Sequence, residues 1–122
     1  MGKYSVEENP VLKHTFEFLL MVIAFCELLD ARKKYALSNQ LFKSGTSIGA
    51  NANEAQHAES KADFINKFKI AAKEVKETSY WLRLCECSEH LPNCTPLQLK
   101  LNEIEKIINS ILASSKRTGI KP

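Results

Sequence analysis

One short motif in the chain has the residue types of a hydrolase nucleophile. Gly45-Thr46-Ser47-Ile48-Gly49 matches the G-x-S-x-G pattern, in which the serine works only on a strained turn between a strand and a helix. Here the flanking residues favour helix, and His14, His57 and His90 have no evident acid to orient them. We therefore predict that the chain has no Ser-His-acid triad and is not an enzyme.

A second group combines thiols with an imidazole, the ligands that zinc prefers. Cys85, Cys87, His90 and Cys94 lie close together in the sequence, but on a helix Cys85 and Cys87 point about 200° apart. No glycine-rich phosphate loop accompanies them. We predict no metal and no cofactor, and we expect the cysteines to act as small buried hydrophobes.

The third chemical feature is positive charge concentrated in residues 61–83. This segment carries six Lys or Arg and three Asp or Glu, an excess of three that equals the +3 of the whole chain. On a helical wheel, one sector of about 80° holds a basic stripe, composed of Lys69, Lys73, Lys76, Tyr80 and Arg83. Such a stripe can hold a nucleic-acid backbone while the tyrosine stacks on a base.

The alternative is that the basic stripe is a solvated face that makes ion pairs within the protein. Glu54, Glu74 and Glu77 are the acids we consider as partners. Pairing of the stripe lysines with them would favour a protein interaction scaffold with no nucleic-acid partner.

The elements that position these groups are helices. With 122 residues, the chain is predicted to form a single domain, 1–122. Asn9-Pro10, Ser60-Asp63 and Thr95-Pro96 are typical helix starts, and apolar residues recur at spacings of three and four. The sequence predicts an all-α, up-down-up-down antiparallel four-helix bundle, with helices at about 9–31, 36–58, 60–90 and 95–114 and a frayed tail at 115–122.

The first helix is too apolar for a lone bundle. Its nine residues 18–26 point in every direction around the axis, yet they extend only about 14 Å, too short to span a membrane. We therefore expect part of this surface to meet another subunit. The predicted oligomer interface comprises Phe18, Val22, Phe25, Ile70 and Trp81.

Several runs of residues in the second and third helices resemble one bacterial family. They are residues 35–41 (YALSNQL), residues 44–51 (SGTSIGAN) with Glu54-Ala55, Asp63-Phe64, Lys67, Ile70-Ala71, Lys73-Glu74, Glu77-Thr78 and Tyr80-Trp81-Leu82. In these the chain resembles the bacterial four-helix-bundle proteins, also called 23S rRNA intervening-sequence proteins. The resemblance covers about residues 10–115.

The resemblance implies a left-handed bundle that assembles into a ring-like homopentamer. Some members are encoded within intervening sequences of 23S rRNA genes, and a distant relative in diversity-generating retroelements binds nucleic acid and a reverse transcriptase. The resemblance thus implies that RNA or DNA, and a protein that handles nucleic acid, are partners. No export signal or membrane span is evident, so we expect a cytoplasmic protein. The segment Arg32, Lys33 and Lys34 is expected to assist the basic stripe.

Overall fold

The computed structural model describes residues 9–117, and all of its regular structure is helical. Four helices form within that range: α1 (Pro10–Ala31), α2 (Tyr35–Ala55), α3 (Lys61–Cys87) and α4 (Thr95–Arg117). The fourth helix includes residues 115–117, which we had predicted to be frayed. Residues 118–122 of the predicted tail lie outside the described residues. No helix between residues 9 and 117 is long and apolar enough to cross a membrane.

The helices form an antiparallel bundle in which each packs against its neighbours in sequence and α4 packs against α1. The antiparallel direction of α1 and α2 follows from two contacts between them. Cys26 bonds with Ser38 near the connecting turn, whereas Thr15 lies beside Gly49 farther along. The prediction of an all-helical four-helix bundle is therefore confirmed, while its handedness and ring assembly stay predictions.

Helix boundaries follow from local hydrogen bonds. The Asn9 side chain accepts from the N–H groups of Val11 and Leu12, and Pro10 needs no partner at the first helical position. Ser60 caps α3 by accepting from the Asp63 N–H at 3.0 Å. The second helix ends three residues before the predicted position, because residues 56–58 bond to carbonyls three residues back and form a tighter turn.

The core contains the periodic apolar residues of all four helices. In α2, the five residues that recur at spacings of three and four form a seam that is wholly buried, and four residues with the same spacing in α4 are also buried. Two of the buried hydroxyl groups meet across the α3–α2 interface, where the Thr78 and Ser44 oxygens are 2.9 Å apart. The seam residues are Leu41, Gly45, Ile48, Ala52 and Ala55, and the α4 residues are Leu97, Leu101, Ile104 and Ile108.

Two glycines in α2 permit its close contact with α1. A Cβ atom added at Gly45 would lie 3.2 Å from Cγ2 of Val22, closer than most real contacts. A Cβ added at Gly49 would lie 3.5 Å from Thr15, an ordinary van der Waals distance. A methyl group at Gly45 would therefore press on Val22, whereas Gly49 has room for one.

Three of the four cysteines are part of the core. Cys26, Cys85 and Cys94 are buried and Cys87 is exposed. Burial raises the pKa of the Cys85 thiol to about 11, and it also raises the pKa of Cys26 and Cys94. Because the thiolate is the reactive form, these three thiols are protected by both burial and protonation.

Substitutions at the two glycines should have opposite effects on stability. Gly49→Ala should raise the free energy of unfolding by up to about 1 kcal/mol, because alanine favours helix over glycine. Gly45→Leu should lower it by about 1–3 kcal/mol, because the larger side chain overpacks against Val22. Urea denaturation at one protein concentration measures both changes. An unchanged value for Gly45→Leu would contradict the described contact.

Thiol labelling should distinguish one cysteine from the other three. In the native protein we expect one rapidly reacting thiol per chain, Cys87, and four after denaturation, the full number in the sequence. Cys87→Ser should abolish the rapid phase with a thiol-reactive chromophore. Rapid labelling that survives this substitution would show that the core opens at Cys26, Cys85 or Cys94.

Candidate nucleic-acid interface

The basic stripe lies on the outer surface of α3, on the side toward α4. All five of its residues are exposed, and the fourteen helical steps from Lys69 to Arg83 correspond to about 21 Å along the helix. Lys76 makes an ion pair with Glu105 of α4 at 2.8 Å. Lys69, Lys73 and Arg83 have no ion-pair partner within residues 9–117. Three of the four cations thus keep their charge unpaired in this part of the structure.

Two of the three acids considered as alternative partners are engaged elsewhere. Glu54 pairs with Lys67, which is outside the stripe, at 3.0 Å, and this hydrogen bond raises the pKa of Lys67. Glu77 accepts a hydrogen bond from the Trp81 indole at 3.3 Å. Burial raises the pKa of Glu74, and the nearby Glu77 raises it further. None of these three carboxylates makes an ion pair with a stripe lysine among the described residues.

An aromatic pair lies within this charged surface. The rings of Tyr80 and Trp81 meet edge to face, with centroids 5.2 Å apart and planes at 71°. Tyr80 is 58% exposed, whereas Trp81 is half-buried against the core. The open surface of Tyr80 is therefore presented to solvent beside Lys73 and Lys76.

The basic turn is placed apart from the stripe. Arg32, Lys33 and Lys34 are exposed in the connection between α1 and α2, where Lys33 adopts a positive φ of 62°. The N–H groups of Lys33 and Lys34 cap α1 by bonding to the carbonyls of Asp30 and Leu29. The α1–α2 edge lies opposite the α3–α4 edge of the bundle. The turn is therefore at the same end as Arg83 but on another side.

Part of the predicted oligomer interface is wrong for this fold. Phe18, Val22 and Phe25 are buried within the single chain, so they are not available to another subunit. Their side of α1 faces the core, and the surplus apolar surface is on the other side. Ile70 and Trp81 are half-buried on α3. Phe16, Ile23 and Phe42 are large, exposed and line the α1–α2 groove. Together with the exposed Leu20 of α1, we call them the apolar face.

A polar cluster lies between α1 and α4, and only part of it can be read from the sequence. Lys100 is 16% exposed, and its Nζ lies 2.7 Å from Glu17 and 2.8 Å from Nδ1 of His14. The hydrogen bond from Lys100 lowers the pKa of Glu17. His14 also has two carboxylates within 3.9 Å, those of Glu17 and Glu103. The i,i+3 spacing of His14 and Glu17 is a signal in the sequence that contradicts the expectation of no acid near His14, whereas Glu103 is far away in the chain.

The hydrolase-like motif has no nucleophile geometry. Ser47 lies within α2, and its hydroxyl donates to the Lys43 carbonyl of the same helix at 2.9 Å. The thiols and imidazole near the end of α3 also diverge, with Cys85 and Cys94 buried and Cys87 and His90 exposed. Within residues 9–117, no group of three His, Cys, Asp or Glu side chains could hold a metal ion.

Comparison with known proteins identifies the family. The model of the 23S rRNA-intervening sequence protein family matches residues 7–110. The chain is also similar to a solved structure from Bacteroides thetaiotaomicron, described as a protein of unknown function from the S23 ribosomal protein family. The two are 39% identical with a TM-score of 0.79, covering 84% of this chain and 97% of the other. None of the curated proteins compared matches the sequence. The chain belongs to the family of 23S rRNA-intervening sequence proteins.

Proposed function

We propose that this protein is a non-enzymatic helical bundle of the cytoplasm that binds RNA or another nucleic acid through the basic stripe. One observation carries the proposal: Lys69, Lys73 and Arg83 are exposed on one side of α3 without an acidic partner among residues 9–117. Unpaired cations aligned along about 21 Å of helix suit a polyanion backbone. The family name, which refers to 23S rRNA, is consistent with this choice.

The Lys76–Glu105 ion pair does not remove Lys76 from the site. Both residues are on the surface, with Lys76 77% exposed, and pairs of this kind contribute about 0–1 kcal/mol. A phosphate can therefore replace Glu105 at little cost. The family resemblance adds a nucleic-acid-handling protein as a further partner of the complex.

We further propose that the protein acts as a ring-like homo-oligomer, for which the family resemblance gives five subunits. The apolar face supports assembly, because four large apolar side chains at one helix pair indicate a protein contact. It lies on the α1–α2 edge, so the basic stripe at α3–α4 stays uncovered. In a ring, the stripes of several subunits add to one field.

The second candidate function is a protein interaction scaffold with no nucleic-acid partner. The half-buried Trp81 and Ile70 favour it, because aromatic side chains are enriched at protein contacts. In this case the apolar face and the Trp81 region bind polypeptides. Absence of RNA binding together with assembly of the protein would support this candidate.

Charge reversal should test the basic stripe. The Lys69→Glu and Lys73→Glu double variant should weaken binding to a labelled RNA by at least tenfold at low salt, because two phosphate contacts become repulsive. Electrophoretic mobility shift at several salt concentrations measures the effect. The matched control is Lys13→Glu with Lys61→Glu, two exposed lysines outside the stripe. Equal loss in both double variants, or no shift for the unaltered protein, would contradict the proposal.

A charge in the apolar face should block assembly. We expect light scattering to give the unaltered protein a mass several-fold above the 13.8 kDa of one chain. Leu20→Glu should lower this mass, because the substitution places a carboxylate in an apolar contact. Leu99→Glu is the control, since Leu99 is 64% exposed on α4. A monomeric mass for the unaltered protein would exclude the ring.

A further inference from the structure

We infer that the basic stripe selects an unpaired strand, with one base stacked on Tyr80. This inference rests on the proposed function and specifies the form of nucleic acid that the same site accepts. Three features of Tyr80 support it: its exposure, its fixed orientation and the cations on either side of it.

The exposure of Tyr80 gives the site an open aromatic ring. The side chain is 58% exposed, and its hydroxyl has no hydrogen-bond partner among residues 9–117. Stacking of a base on such a ring contributes to binding of single strands, and it tolerates any base because every base has a π-face. In a duplex the base faces are covered by their neighbours except at the two ends, so along the duplex the ring has nothing to stack on.

The neighbouring tryptophan holds the ring in place. The Glu77 carboxylate accepts from the Trp81 indole at 3.3 Å, and the Tyr80 ring packs edge to face on that indole. The tyrosine therefore loses less rotamer freedom on binding than an unsupported side chain would. This preorganisation of the Tyr80 ring favours stacking of a base on it.

Two cations flank Tyr80 along the axis of α3. Lys76 lies one helical turn before Tyr80 and Arg83 lies one turn after it, about 6 Å and 4.5 Å away along the axis. They can hold the phosphates on the two sides of the stacked nucleotide. Because the residues around Tyr80 form a regular helix, they offer no loop or wedge to open a duplex, so the strand must already be unpaired.

Fluorescence anisotropy with two labelled RNAs tests this inference. The probes are a 12-nucleotide oligouridine and a blunt RNA duplex of 12 base pairs, at the same low salt. We expect the full chain to bind oligouridine at least fivefold more tightly per site than the duplex. Tyr80→Ala should weaken oligouridine binding by about 5- to 100-fold, whereas Tyr80→Phe, which keeps the ring, should bind as the unaltered protein does.

The outcomes separate this inference from the proposed function. Equal or tighter binding of the duplex, or an unchanged affinity in Tyr80→Ala, would overturn the inference while RNA binding by the stripe stands. Failure of both probes to bind would overturn the proposed function itself. Leu99→Ala, at an exposed position on α4, is the control and should leave oligouridine binding unchanged. Circular dichroism of each variant checks that the helices are intact.

Discussion

The close contact between α1 and α2 determines how the rest of the bundle is arranged. Val22 packs within 3.2 Å of the place where a Gly45 side chain would begin, and Cys26 and Ser38 exchange hydrogen bonds between the same helices. Together these contacts fix the rotation of α1 about its axis. Phe18 and Phe25 then point into the core. The opposite side of α1, which is also apolar, is left at the surface.

The third helix combines a packing function with a charged surface. The contact between Thr78 and Ser44 fixes one side of α3 against α2, and Phe68 and Val75 fill the core. The basic stripe must then lie toward α4, where Glu105 reaches Lys76. Since an exposed ion pair is weak, this single contact does not neutralise the surface. The stripe therefore keeps most of its charge exposed.

Much of the fold was predictable, because apolar periodicity and helix capping are local properties. The seam from Leu41 to Ala55 was predicted and is buried, and Asn9 and Ser60 cap their helices. The site was less predictable. The basic stripe follows from helical spacing. The distance between the Arg32–Lys34 turn and the stripe does not, because it depends on the α1–α2 edge lying opposite the α3–α4 edge of the bundle. The cluster of His14 with Lys100 joins residues that are 86 positions apart.

The sequence by itself determined the helices, the side of α2, α3 and α4 that is buried, the composition of the basic stripe and the family. These depend on spacing along one helix, which the chain order specifies completely. Only the tertiary structure decided which side of α1 is buried and which stripe cations lack an acidic partner within residues 9–117. Nine consecutive apolar residues give a helix no preferred direction, and ion pairs between helices depend on axial rotation and register. Both quantities are set by packing between helices, through contacts such as Gly45 with Val22.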